Sequence, residues 1–304
     1  TGIRRIYLRS MVYHKRTTPS DETGIYRYKF DAPKSWAEQR VKIFFDGVMT
    51  DAEIMINGKP AGEMHQGGFY RFNYDITELL NLGKKNQLEV KVAKESANRS
   101  INAAERKADW WLFGGIYRPV WLEVLPQVHM EHFVLNADHH GKLQTAVDMA
   151  GDAKGHEIIV SVRSLKDGKT VYTSNGQTTI THPINNSDKE QMISGEWASI
   201  IPWSTENPNL YVAKLELKNP EGKIVQTRET RIGFRTVEFF PQDGVYLNGT
   251  KLVVKGINRH SFSVDGGRTT SAALSRMDAL LIKEMNMNAC LLYTSPSPRD
   301  TERS

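Results

Sequence analysis

Apolar and polar residues alternate in short runs along most of this chain, and the period is two. Val41, Ile43 and Phe45 share one side of a first run, and Ala52, Ile54 and Ile56 one side of the next, with Asn57-Gly58 following as a tight-turn pair. Leu88, Val90 and Val92 repeat the pattern, as do Val120, Leu122 and Val124. Pro126 then interrupts, because a residue without an amide hydrogen does not continue a strand in a sheet centre. A second block behaves in the same way. Ile158, Val160 and Val162 lead to a turn at Lys166-Asp167-Gly168-Lys169, while Tyr211, Ala213, Leu215 and Leu217 lead to Asn219-Pro220-Glu221-Gly222. Between them, Pro183 to Lys189 reads as a polar loop. Strands with one apolar side predict two β-sandwiches in series.

The pattern changes after Gly233. Val245 to Val254 reads as a hairpin around Asn248-Gly249. Beyond a Gly-rich loop, Thr269, Thr270 and Ser271 offer N-cap oxygens, and Leu274, Met277, Leu281 and Met285 recur at helical spacing. This is the one helix that the pattern predicts. A lone strand and helix cannot cover each other, so together they read as the opening βα unit of a parallel α/β structure.

Composition narrows the partners. The 304 residues are 39% hydrophobic and 25% charged, as in a folded chain of several domains. The formal net charge is +5, but Lys and Arg are scattered among nearly as many acids. Only Arg4, Arg5, Arg9, Lys15 and Arg16 gather, and phosphate binding wants a continuous basic face, so no nucleic-acid partner is expected. No apolar run approaches the roughly 20 residues of a membrane-spanning helix. Cys290 is the only cysteine, which excludes an internal disulfide and a Cys-based metal site. His139-His140 is an isolated pair on a solvated turn, and no metal site is expected.

Three segments exceed generic sandwich content. The first is Phe44-Phe45-Asp46-Gly47-Val48, running on to Ile56-Asn57-Gly58-Lys59, His65-Gln66-Gly67-Gly68-Phe69 and Tyr74-Asp75-Ile76-Thr77. The second is Ala108-Asp109-Trp110-Trp111-Leu112-Phe113-Gly114-Gly115-Ile116-Tyr117-Arg118-Pro119-Val120, and the third Val254-Lys255-Gly256-Ile257-Asn258-Arg259-His260. In this order, and supported by Thr23-Gly24-Ile25-Tyr26-Arg27, Asn207-Pro208-Asn209-Leu210-Tyr211 and Gly233-Phe234-Arg235-Thr236, they resemble glycoside hydrolase family 2, the β-galactosidase and β-glucuronidase family.

That resemblance implies a mainly β fold: a jelly-roll sugar-binding domain over 1–126, an immunoglobulin-like β-sandwich over 127–236, and the first βα unit of an incomplete (β/α)8 barrel over 237–289. A whole barrel takes about 250 residues. From Cys290 the sequence departs from the family pattern, and 290–304 is expected to be a non-native or disordered tail. The apolar residues of the helix would then stay uncovered.

The resemblance also distributes roles. Family members cleave terminal β-linked sugars with two glutamates on later barrel strands, so no catalytic residue is assigned here and the chain by itself is expected to be inactive. Asp109 matches a family Asp that binds sugar hydroxyls; on its residues alone it is a loop Asp capping a turn. His260 matches a family His at the end of the first barrel strand. Arg259 is either a second sugar contact or scaffolding paired with a barrel carboxylate. Trp110 and Trp111 either stack on a sugar face or pack in the core, with Trp111 taken as the stacking candidate. Trp121 and Trp203 are expected in cores, and His65 with Gly67-Gly68 in a turn. Ser261-Phe262-Ser263 departs from the acidic residue that often follows the family His. The partner implied is carbohydrate, a terminal β-galactoside first, with no cofactor in this stretch; a divalent or monovalent cation and a homo-oligomer belong to the intact enzyme. The alternatives are a stand-alone carbohydrate-binding module, or part of a β-glucuronidase or β-mannosidase.

Overall fold

A computed structural model of the chain describes residues 2–6, 23–105, 114–264 and 266–293. The fold is mainly β and comprises two compact units: Gly2–Leu125 together with the stretch from Gly256, and Pro126–Lys255.

In the first unit, one sheet runs in the order Gly2–Ile6, Val120–Pro126, Gln39–Phe45, Phe72–Asp75. The other runs Thr23–Ala32, Lys84–Ala93, Asp51–Ile56, Lys59–Pro60. Alternation decides what lies inside. Ile43, Phe45, Ile56, Leu88, Val90 and Leu122 are fully enclosed in the core, each contributing about 1.5–3 kcal/mol by leaving water. Trp121 sits out of phase with its neighbours Val120 and Leu122, so it takes the other face of its sheet. There it stacks on Phe44 with ring centroids 4.1 Å apart, a correction to its expected place in the core. The Asn57-Gly58 turn has both residues in the left-handed region, at φ 52° and 79°, as a hairpin turn matched to strand twist requires. A short helix, Arg99–Glu105, escaped the apolar pattern because its 7 residues complete barely two turns.

In the second unit, His129–Ala137, Lys142–Ala150 and Glu190–Glu196 form one sheet. Thr170–Val171, Glu157–Ser164, Tyr211–Lys218 and Ile224–Ile232 form the other, with Thr179–Pro183 also pairing Glu157–Ser164. Val147, Ile158, Val160, Leu215, Leu217 and Phe234 fill the space between. Gln226 is buried in this core, where its amide accepts from the Met130 N–H at 2.6 Å and donates to the Met130 carbonyl at 3.2 Å. Both of its polar ends are thereby satisfied across the sheets, which removes the cost of burying them. A three-stranded meander, Val237–Phe240, Gly244–Leu247 and Thr250–Leu252, closes the unit. It turns at Asn248-Gly249, again left-handed at 52° and 77°.

The strand Gly256–His260, the helix Ala272–Glu284 and the strand Ala289–Tyr293 make a βαβ unit whose strands pair in parallel. Of the three N-cap candidates Ser271 serves, its hydroxyl accepting from the Leu274 N–H at 3.1 Å. Cys290 to Tyr293 belong to the second strand, where a tail was expected. The backbone ladder asks only for an extended apolar run beside a free strand edge, and Cys-Leu-Leu-Tyr supplies it.

Candidate functional site

The site begins at the C-terminal end of the Gly256–His260 strand. Side chains alternate across it: Ile257 and Arg259 are half-buried, whereas Asn258 and His260 are exposed on the opposite face. Arg259 points to the helix, where its guanidinium pairs with Asp278 and lies 3.5 Å from the Ser261 hydroxyl. His260 stands at the last position of the strand, level with Tyr293 of its neighbour. Strand ends of this kind are where barrel enzymes build their sites.

The loop that follows is held from both sides. Ser263 and Gly267 exchange backbone hydrogen bonds of 2.8 and 2.9 Å, and Thr269 N–H bonds the Gly266 carbonyl at 3.0 Å. Arg268 then turns into the jelly roll, where it is 7% exposed and its guanidinium carbon lies 5.2 Å from the Phe69 ring centre. The Thr269 hydroxyl donates to the Tyr117 carbonyl at 3.3 Å. The jelly roll thus meets the loop that follows the C-terminal end of the Gly256–His260 strand.

Around Arg268 the jelly roll is built to close tolerance. The Gly68 N–H donates to the Glu105 carboxylate at 2.8 Å, and the Tyr117 hydroxyl donates to the Gly68 carbonyl at 2.7 Å. A Cβ on Gly68 would come within 3.1 Å of the Met49 side chain and 3.2 Å of the Glu105 carboxylate, so a larger residue there would have to push both side chains back by a few tenths of an ångström. Burial lowers the pKa of Arg268, with the Tyr117 hydroxyl and Glu105 carboxylate opposing it. Burial raises the Tyr117 hydroxyl, while Arg118 and Arg268 pull it back. A guanidinium, a carboxylate and a phenol therefore act on one another in a largely dry seam.

A second set of bonds anchors the chain leading to Glu105. Asp51, 4% exposed, accepts from Ala97 N–H at 2.7 Å and from the Gln66 amide at 3.0 Å. Asn102 and Ser96 tie the same loop to itself at 2.9 and 2.6 Å, and the Asn98 side chain accepts from Ser100 N–H at 3.0 Å at the start of the short helix. Asp109, Trp110 and Trp111 follow Glu105 and lie outside the described residues.

Other singled-out residues have local duties. His65 stacks on Phe72 with ring centres 3.6 Å apart and bonds the Gly67 carbonyl at 2.9 Å; burial lowers its pKa, with that bond and Asp51 opposing. His139 bonds the Thr236 hydroxyl at 2.6 Å. Trp203 receives the Arg235 guanidinium at 5.0 Å from its ring centre. Among the described residues no three His, Cys, Asp or Glu side chains are grouped so that they could hold a metal ion. Among the described residues no helix is long and apolar enough to cross a membrane.

Sequence reasoning missed Arg268 and Glu105, and it quoted Phe69 and Tyr117 within longer segments without giving them a role. The available signal was the pairing of two Gly-Gly steps, Gly67-Gly68 and Gly266-Gly267, with residues able to fill the gaps they leave.

Comparison with known proteins places the same segments. Residues 10–126 match the family described as glycosyl hydrolases family 2, sugar binding domain; residues 128–235 match glycosyl hydrolases family 2; and residues 241–302 match glycosyl hydrolases family 2, TIM barrel domain. A β-galactosidase of Priestia megaterium is 31% identical over 299 residues, covering 93% of this chain and 27% of that protein. A β-galactosidase of Kluyveromyces lactis is 31% identical over 288 residues, covering 88% of this chain and 27% of its own. Among solved structures, a Bacteroides uniformis β-glucuronidase superposes with TM-score 0.71 at 26% identity, over 89% of this chain and 33% of that one. A β-glycosidase from Bacteroides vulgatus gives TM-score 0.71 at 27% identity, over 88% of this chain and 33% of that one.

Proposed function

The chain belongs to glycoside hydrolase family 2, and from that premise we propose that it is the sugar-presenting part of a retaining exo-β-glycosidase acting on terminal β-galactosides. One observation carries the reading: the jelly roll is seated, through Arg268 and Thr269, on the loop at the C-terminal end of the strand that bears His260.

In this reading the roles follow from donor and acceptor chemistry. His260, on the face turned away from the helix, exchanges a hydrogen bond with a sugar hydroxyl. Asp109, carried by the chain after Glu105, accepts from two adjacent hydroxyls of the pyranose edge. Trp111 stacks on an apolar sugar face. Arg259, engaged by Asp278, holds the strand end against the helix and touches sugar only if that pair opens. Bond cleavage with retention needs two carboxyl groups roughly 5–5.5 Å apart. Both belong to later barrel strands in the family, so the 304 residues are proposed to bind and not to turn over.

Calorimetric titration of the purified chain with a thiogalactoside and a thioglucuronide tests this. Galactoside is expected to bind the more tightly, and Asp109→Asn or His260→Ala is expected to weaken it about tenfold or more, the worth of a charge-assisted or well-placed hydrogen bond. Equal binding by both variants would remove the assigned roles. Stronger glucuronide binding would move the substrate to the β-glucuronidase side of the family. Measurable hydrolysis of a nitrophenyl β-galactoside would overturn the proposed inactivity.

A further inference from the structure

Arg268 lies in neither the strand nor the helix of the βαβ unit, yet it is among the most buried charged groups described. Three jelly-roll segments converge on it. Phe69 offers its ring face, at 5.2 Å; Tyr117 receives the hydroxyl of the adjacent Thr269 on its carbonyl at 3.3 Å; and Glu105, the last residue of the short helix, acts on the guanidinium as opposite charge. Those segments are themselves cross-linked through Gly68, whose N–H goes to Glu105 and whose carbonyl receives Tyr117.

An arginine buried in a seam costs free energy unless charge and ring faces replace its water. Among the described residues, the ring face and the opposite charge come from a different domain type than the loop that carries the arginine. A surface arginine in the same loop would have closed the turn just as well, since the Ser263–Gly267 and Gly266–Thr269 bonds involve only backbone.

We infer that Arg268 is a positioning residue: it locks the loop after His260 to the Phe69–Glu105–Tyr117 seam of the jelly roll, and so fixes where His260 stands relative to the sugar-binding domain. The inference deepens the glycosidase reading and rests on it for the meaning of His260. It assigns Arg268 no contact with sugar. Glu105 and Tyr117 act through Arg268 and are positioning residues as well.

The test uses the whole 304-residue chain and nuclear magnetic resonance. Amide exchange is followed at Gly68, Gly267 and Thr269, and the His260 ring signals are followed with and without a thiogalactoside. Arg268→Ala is expected to speed exchange at Gly267 and Thr269 about tenfold, the size of a middling coupling between neighbouring residues, and to displace the His260 ring signals. Amides of Val160 and Leu215, in the other unit, should not change. Glu105→Gln keeps an oxygen for the Gly68 N–H and so keeps Gly68 protected, but it removes the charge facing Arg268 and is expected to speed the same two loop amides. The double variant should be no worse than the stronger single one. Arg268→Lys retains the charge without the planar stack and should fall between wild type and Arg268→Ala; it also carries the test if Arg268→Ala does not fold.

Loop exchange and His260 signals that are unchanged in Arg268→Ala and Arg268→Lys would overturn the inference, and so would single effects that simply add. The two readings separate in the sugar arm. If no sugar perturbs His260 in the wild type, the glycosidase assignment falls while the loop coupling is still decided by exchange. If sugar perturbs His260 equally in wild type and Arg268→Ala, the assignment stands and positioning by Arg268 falls.

Discussion

The Pro126–Lys255 sandwich and the βαβ unit from Gly256 to Tyr293 are both written with regular apolar positions, yet they treat them oppositely. In the sandwich, Val147, Ile158, Leu215 and Phe234 are fully enclosed. In the βαβ unit, Met277, Leu281 and Met285 keep half or more of their surface, at 53%, 50% and 54% exposed, and the helix buries no residue. The difference teaches that periodicity sets which side of an element is apolar, whereas burial depends on having something to lie against. A sheet has a second sheet. A single helix on two strands has too little, and the face left over is of the kind that promotes association.

Truncation at matched leucines is the sharpest way to break this comparison. Leu215→Ala is expected to cost about 2–5 kcal/mol in denaturant unfolding, since a cavity adds to the lost transfer energy. Leu281→Ala is expected to stay within about 0.5 kcal/mol. Similar costs at the two positions would mean that the helix face is covered in solution.

Backbone strain gives a smaller contrast. Gly115 has φ +90°, and a Cβ there would lie 2.3 Å from the Tyr26 hydroxyl, whereas Gly168 has φ +71° with open space around it. Gly115→Ala should cost about 1–3 kcal/mol or more through strain and displacement of Tyr26, and Gly168→Ala about 1 kcal/mol through the left-handed conformation alone. Thermal unfolding of the two variants ranks them; the reverse order would deny the close approach.

The helix cap tests whether the βαβ unit is held by local bonds. Ser271→Ala is expected to remove about 1 kcal/mol from the helix, read as faster amide exchange at Leu274, the donor to the Ser271 hydroxyl. No change in that amide would place the helix's stability elsewhere.

The smallest effect concerns pH. The folded pKa of His65 is lowered by burial, so the unfolded chain binds its proton more readily. Stability therefore rises with pH across the interval between the lowered value and the ordinary one near 6.5, and acidification through that interval removes it. His65→Gln should flatten the slope of jelly-roll stability between pH 7 and 5, and a slope unchanged by the substitution would assign it to other groups.

Much of this was legible in advance. Asn57-Gly58 and Asn248-Gly249 named their turns because few other pairs accept two left-handed residues, and Ser271 was among the cap candidates because its hydroxyl replaces a missing backbone acceptor. The stripe Leu274, Met277, Leu281, Met285 named the helix. Arg99–Glu105 was illegible because so short a helix has no period to read. Trp121 was misplaced because the general tendency of tryptophan to be buried was put ahead of the alternation: with Val120, Leu122 and Val124 inside, Trp121 takes the other face.

What the sequence determined by itself was local: turns, caps, alternation and the order of the family's segments, all of which depend on residues close together along the chain. What the tertiary structure alone decided was the meeting of Phe69, Glu105, Tyr117 and Arg268. Those residues stand as much as 199 positions apart, between Phe69 and Arg268 (268 minus 69). No short-range rule pairs an arginine with a ring and a carboxylate over such a distance. Their meeting is fixed by where two separately formed elements come to rest, and by the glycines that let the backbones approach.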